Sequence, residues 1–138
     1  MDDLVIQKAA SIERCLARVK EEFENAGEGS DTNYTRQDAA ILNLQRACEQ
    51  TIDLSNHFIR INKWGIPATS KASFDILIEN NFLPKELGER LKKMVGFRNI
   101  AVHEYGSLNI TILRKIIVEH LIDFKEFCTL ALKSMGDA

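Results

Sequence analysis

The chain has 138 residues, 45% of them hydrophobic and 28% charged, with a formal net charge of −2. Such a composition describes one globular domain, residues 1–138, large enough to bury its own core, and it excludes a protein that coats nucleic acid by bulk positive charge. It leaves room for an enzyme that gathers its cations at one cleft. Two prolines and seven glycines favour long helices over a meander of short strands.

The first predicted helix covers about residues 3 to 25, where Val5, Ala9, Ile12, Leu16, Val19 and Phe23 recur at intervals of three and four. The acidic start, Met1–Asp2–Asp3, opens this amphipathic segment without the continuous apolar run of a signal peptide. No other run is long enough to span a membrane, so the cytoplasm is the expected compartment. Small and acidic residues from Gly27 to Asn33 predict a loop, and Thr35 followed by Asp38 reads as an N-cap for the second helix.

That helix, from about Arg36 to Lys63, is apolar over a wide arc, with Leu44, Ala47, Leu54, Phe58 and Ile61 on one stripe and Ile41, Cys48, Ile52 and Ile59 beside it. So wide an arc predicts a central element. Trp64–Gly65–Ile66–Pro67 ends it, with Gly65 suited to the C-terminal turn. A short helix near Ser70 to Asn80 turns Phe74, Leu77 and Ile78 inward, and Pro84 suits the first turn of the fourth helix. After a break at Gly106–Ser107, a last helix from about Leu108 to Lys133 buries Leu113, Ile117, Leu121, Phe124, Cys128 and Ala131. The expected fold is all-α: an antiparallel bundle of four main helices and one short one.

Cys15, Cys48 and Cys128 are odd in number, far apart and set among apolar residues, which reads as buried free thiols in a reducing compartment rather than a zinc site or disulfide framework. His57 and His120 lie inside helical patterns without ligands at metal spacing, and Trp64 reads as a helix-end anchor.

The fourth helix carries the chemistry. Leu91, Met94, Val95, Arg98, Ala101, Val102 and Tyr105 share one stripe, so an arginine stands where apolar side chains are buried. A charge there is costly unless the stripe faces a cleft or a partner that supplies an anion. Arg98 is therefore a candidate phosphate ligand and His103 a candidate for moving a proton beside it. Residues five apart lie about 140° apart around a straight helix, so the two do not share a face. Either the long arginine side chain wraps around the helix, or two copies of the helix meet across a two-fold axis. Asn99, one turn before His103, can orient the imidazole. Arg90, Lys92 and Lys93 are candidates for contact with a phosphate backbone, with a solvated helix face as the plain alternative.

Arg98–Asn99–Ile100–Ala101–Val102–His103–Glu104–Tyr105 resembles the R-x4-H-x-Y signature of the HEPN superfamily, and of its HepT-like toxins in particular. The likeness extends over Gln37 to Glu49, then Asp53, Asn56 and His57, then Gly65–Ile66–Pro67, and Leu91 to Phe97. It implies a HEPN-like bundle forming a two-fold dimer, and a metal-independent endoribonuclease toxin of the type VII HepT/MntA systems that needs no cofactor and cuts tRNA or mRNA. By the same resemblance, Arg98 and His103 of both protomers form the cleavage site. The partner is an MNT-type nucleotidyltransferase antitoxin, MntA-like, which adenylylates Tyr105. A non-catalytic HEPN module that binds a nucleotide or docks a nucleotidyltransferase is the rival, and a helical interaction protein pairing Arg98 with Glu104 or Glu119 is a third reading.

Overall fold

The computed structural model describes residues 2–26, 34–103 and 110–136, which are helical apart from short connections. The elements are α1 (Asp3–Ala26), α2 (Tyr34–Asn62), α3 (Ser70–Glu79), α4 (Lys85–His103), α5 (Ile110–Glu119) and α6 (Leu121–Gly136). Among the described residues the fold is all-α, as its sequence pattern requires. The expected 27–33 loop and the Gly106–Ser107 break lie outside them.

Asp2 caps α1, its carboxylate accepting from the Leu4 amide at 3.0 Å and its carbonyl from Ile6. Val5, Ala9, Ile12, Leu16 and Val19 are buried, and Phe23 packs against the core at its edge. Three polar contacts set the α1–α2 register: Asp2 with His57, Lys8 with Asp53 and Glu22 with Arg36. Position rises along one helix as it falls along the other, so the pair is antiparallel. The predicted central role of α2 holds, since it packs against α1, α3, α4 and α6. Its buried Thr51 and Ser55 hydroxyls donate to the carbonyls one turn back, each at 2.8 Å, which lets polar residues sit in the core.

Four local expectations change. Thr35 lies inside the first turn of α2, which begins at Tyr34, and is not its N-cap. Ile61 is 54% exposed because it lines an open groove with Asp2, Trp64 and Met135 instead of a neighbouring helix. Lys63 (φ 56°) is the left-handed residue that closes α2, and Gly65 takes a positive φ of 127° just beyond it: the Trp64 amide reaches the Ile59 carbonyl at 3.0 Å and the Lys63 amide reaches Arg60 at 3.2 Å. The last helix is interrupted at His120, where the Asp123 amide bonds the His120 carbonyl at 3.1 Å and the His120 ring meets the Asp123 carboxylate. The apolar pattern runs through this break, so Leu113, Ile117, Leu121, Phe124, Cys128 and Ala131 are all buried as expected.

The α3–α4 pair positions the site. Pro84 directly precedes α4, its carbonyl accepting from the Gly88 amide. A Cβ on Gly88 would lie 2.4 Å from Ile78 Cδ1, so any larger residue there requires the Ile78 side chain to move aside. Further along, Lys92 Nζ meets Asp75 Oδ1 at 2.8 Å, and Arg98 reaches Ser70. These three pairings run antiparallel and carry Arg98 to the first turn of α3.

Candidate active site

On α4, Leu91, Met94 and Val95 are buried, and Arg98 follows them on the same stripe, partly buried. One guanidinium nitrogen, Nη2, donates to Ser70 Oγ at 3.3 Å, while the buried Nε has no partner. Among the described residues no carboxylate lies within ion-pair distance of Arg98, and Glu119 in particular does not pair with it. Beneath it, the Cys48 thiol is pushed up to about 12 by burial, with the nearby Arg98 charge working against that rise. A buried donor without an acceptor costs about 1–3 kcal/mol. An anion at Nε would satisfy it, and a phosphoryl oxygen has the right charge and geometry.

Asn99 is exposed on α4, one turn before His103, the last residue of the helix. The His103 side chain and the whole of Glu104 and Tyr105 lie outside the described residues. The rim candidates divide. Arg90 is held by Asp123 at 2.9 Å and Glu126 at 3.6 Å, and Lys92 by Asp75 and Glu89, so each would contact RNA only by exchanging a carboxylate. Lys93 is exposed. The other two histidines face carboxylates, His57 the Asp2 side chain and His120 that of Asp123. The His57 hydrogen bond holds the Asp2 carboxyl below its ordinary value.

All three cysteines are buried free thiols, as their surroundings predict. Trp64 packs edge-on to Phe82, centroids 6.3 Å apart, which fits the anchor reading. Ser70 was not legible as part of the site. It stands far from Arg98 in sequence, and no spacing rule connects residues paired across a helical hairpin. Among the described residues no cluster of three or more His, Cys, Asp or Glu could hold a metal ion.

The sequence model of the family described as ribonuclease HepT-like matches residues 12–131. The chain belongs to the HepT-like ribonuclease family. It is similar to a protein of Shewanella oneidensis named mRNA nuclease HepT, with 46% identity over 129 residues that cover 92% of this chain and 95% of that one. It also superposes on the tri-AMPylated Shewanella oneidensis HEPN toxin in complex with MNT antitoxin, with a TM-score of 0.91, 42% identity, and coverage of 97% of this chain and 99% of the other. A toxin–antitoxin crystal structure with AMP-PNP gives a TM-score of 0.89 at 43% identity, covering 96% and 99%. The HEPN-like bundle expected from the resemblance is thus the fold of this HepT-like chain.

Proposed function

We propose that this HepT-like protein is the ribonuclease toxin of a toxin–antitoxin pair, acting in the cytoplasm as a homodimer with Arg98 and His103 of both protomers at the cleavage site. The observation that carries the reading is the Arg98 guanidinium, half tied to Ser70 and half left with a buried donor lacking an acceptor, in a chain of this family. RNA supplies its own nucleophile. The 2′-oxygen attacks phosphorus as its proton passes to a base, the P–O5′ bond breaks, and the 5′-oxygen takes a proton from an acid. The products are a 2′,3′-cyclic phosphate and a free 5′-hydroxyl, with no metal in the step.

Histidine has an unperturbed pKa near 6.5, so it can serve as either base or acid near neutrality, and a two-fold site provides two such residues. Arg98 stabilises charge on the phosphoryl oxygens. Asn99 orients His103, and Arg90, Lys92 and Lys93 form the rim met by RNA. Messenger RNA is the favoured substrate because the Shewanella oneidensis relative is named for it. An MNT-type nucleotidyltransferase is the expected partner, adding adenylyl groups at Tyr105, where new negative charge and bulk would block the entry of RNA.

The test is incubation of the purified protein with total RNA in excess chelator. Wild type should give discrete fragments, and both His103→Ala and Arg98→Lys should lose at least 100-fold in rate with unchanged melting curves. Fragments that persist undiminished in His103→Ala would refute the site. Intact RNA from a wild-type protein of unmodified mass would favour the non-catalytic module.

A further inference from the structure

Carboxylates are unevenly spread over this net-acidic chain. None of its 20 Asp and Glu residues falls between Asp53 and Asp75, or between Glu89 and Glu104. The two acid-free stretches are far apart in sequence, and the fold joins them: Ser70 in the first accepts a hydrogen bond from Arg98 in the second. The flanking acids are themselves engaged, Asp53 by Lys8 and Asp75 by Lys92.

Within the first stretch, an open groove of about 380 Å³ runs along the end of α2 and the turn after it, lined by Asn56, Arg60, Lys63 and Gly65 to Pro67. Asn56 anchors the groove to α3 by accepting from the Ser73 hydroxyl, one turn beyond Ser70. Arg60, Lys63 and Lys71 are exposed, and among the described residues none of them pairs with a carboxylate. The left-handed conformation of Lys63 and the backbone hydrogen bonds that close the turn fix where its side chain leaves the backbone.

We propose that this groove is an accessory subsite for the single-stranded RNA backbone flanking the cleaved phosphate, with Arg60, Lys63 and Lys71 contacting successive phosphates on the α3 side of Arg98. The inference rests on the ribonuclease reading and adds to it where the strand lies. It gives the chain a way to hold RNA despite its negative charge, because these three cations are not paired with any described carboxylate. The contacts are electrostatic and carry no base preference.

The test uses the full chain and a fluorescent 2′-O-methyl RNA, which lacks the 2′-hydroxyl nucleophile and so reports binding alone. Arg60→Gln, Lys63→Asn and Lys71→Gln are combined, asparagine being chosen because it tolerates positive φ. A comparison triple, Lys20→Gln, Lys115→Gln and Lys125→Gln, changes net charge equally on α1, α5 and α6. The groove triple should weaken binding at least tenfold near 0.1 M salt, and flatten the log–log salt dependence by about 0.7 for each phosphate no longer neutralised. The comparison triple should shift neither quantity by more than a small fraction of that.

Cleavage of total RNA by the same proteins should show KM raised in the groove triple, with turnover at saturation within a few fold of wild type. Equal effects from both triples, or none from either, would overturn the subsite. A wild type that cuts RNA while the groove triple keeps the wild-type salt slope sinks the subsite and leaves the ribonuclease reading standing. A wild type that binds through the groove but cuts nothing does the reverse.

Discussion

Arg98 holds two opposed roles at the scale of a single side chain. Its stem continues the buried stripe of Leu91, Met94 and Val95, while its Nε is a donor that the fold leaves without an acceptor. The proposed function asks for the unsatisfied charge and stability asks for its removal, a conflict common at binding sites. Arg98→Met keeps the stem and deletes the charge. It should raise unfolding stability by about 1 kcal/mol even though the Ser70 hydrogen bond is lost, while RNA cleavage disappears. Denaturant titration beside the cleavage assay checks this, and a destabilised variant would mean that the guanidinium already has its anion within the protein. Arg98 was legible in the sequence because a charge on an apolar stripe is a local contradiction. Ser70 was not, because its part comes from tertiary register.

At the scale of elements, α2 and α3 end alike, with one residue in the left-handed region and the next amide bonding back five residues. Lys63 and Asn81 fill those positions, and Phe82 follows Asn81 as Trp64 follows Lys63, so each turn tucks an aromatic ring inward. Lysine carries a Cβ that this conformation disfavours by about 1 kcal/mol, whereas asparagine bears it more easily. Lys63→Gly should therefore stabilise the fold by up to about 1 kcal/mol and Asn81→Gly by less, read from melting curves. The same Lys63→Gly should weaken RNA binding, so stability and affinity move in opposite directions. The sequence points to Gly65 for this turn because glycine is the usual left-handed residue, and nothing local reveals a lysine held there by its hydrogen bonds. The break between α5 and α6 is hidden for a related reason. Apolar spacing continues across His120, and the interruption is set by Asp123, which Arg90 of α4 also holds. Long amphipathic helices are written in periodicity, while breaks and turns depend on partners the sequence does not name.

Across the whole molecule, the buried core holds three thiols among its apolar side chains. Burial pushes Cys48 and Cys128 up to about 12 and raises Cys15 as well. In the unfolded chain thiols ionise from about pH 8.5 upward, but Cys48 and Cys128 of the folded chain keep their protons through that range. Protons then leave only on unfolding, so stability is unaffected below that range and falls as pH rises through it, by about 1.4 kcal/mol per pH unit for each such thiol. Denaturant titrations at pH 7.5 and pH 10 should show this loss, and replacing Cys48 and Cys128 by alanine should flatten it. Iodoacetamide at pH 8 should leave the mass of the folded protein unchanged at these two positions.

The approach of α3 to α4 at Gly88 has a consequence for length as well as identity. From that point α4 runs as regular helix to Arg98, and the match to Ser70 depends on the number of residues along the way. Removing one residue between Gly88 and Arg98 would swing the guanidinium by about 100° and draw it back by about 1.5 Å, out of reach of its hydroxyl partner. Every letter from Arg98 to Tyr105 would survive that deletion, and the signature would still read intact. The spelling of the motif can therefore be preserved in a chain that has lost the ruler by which it is placed.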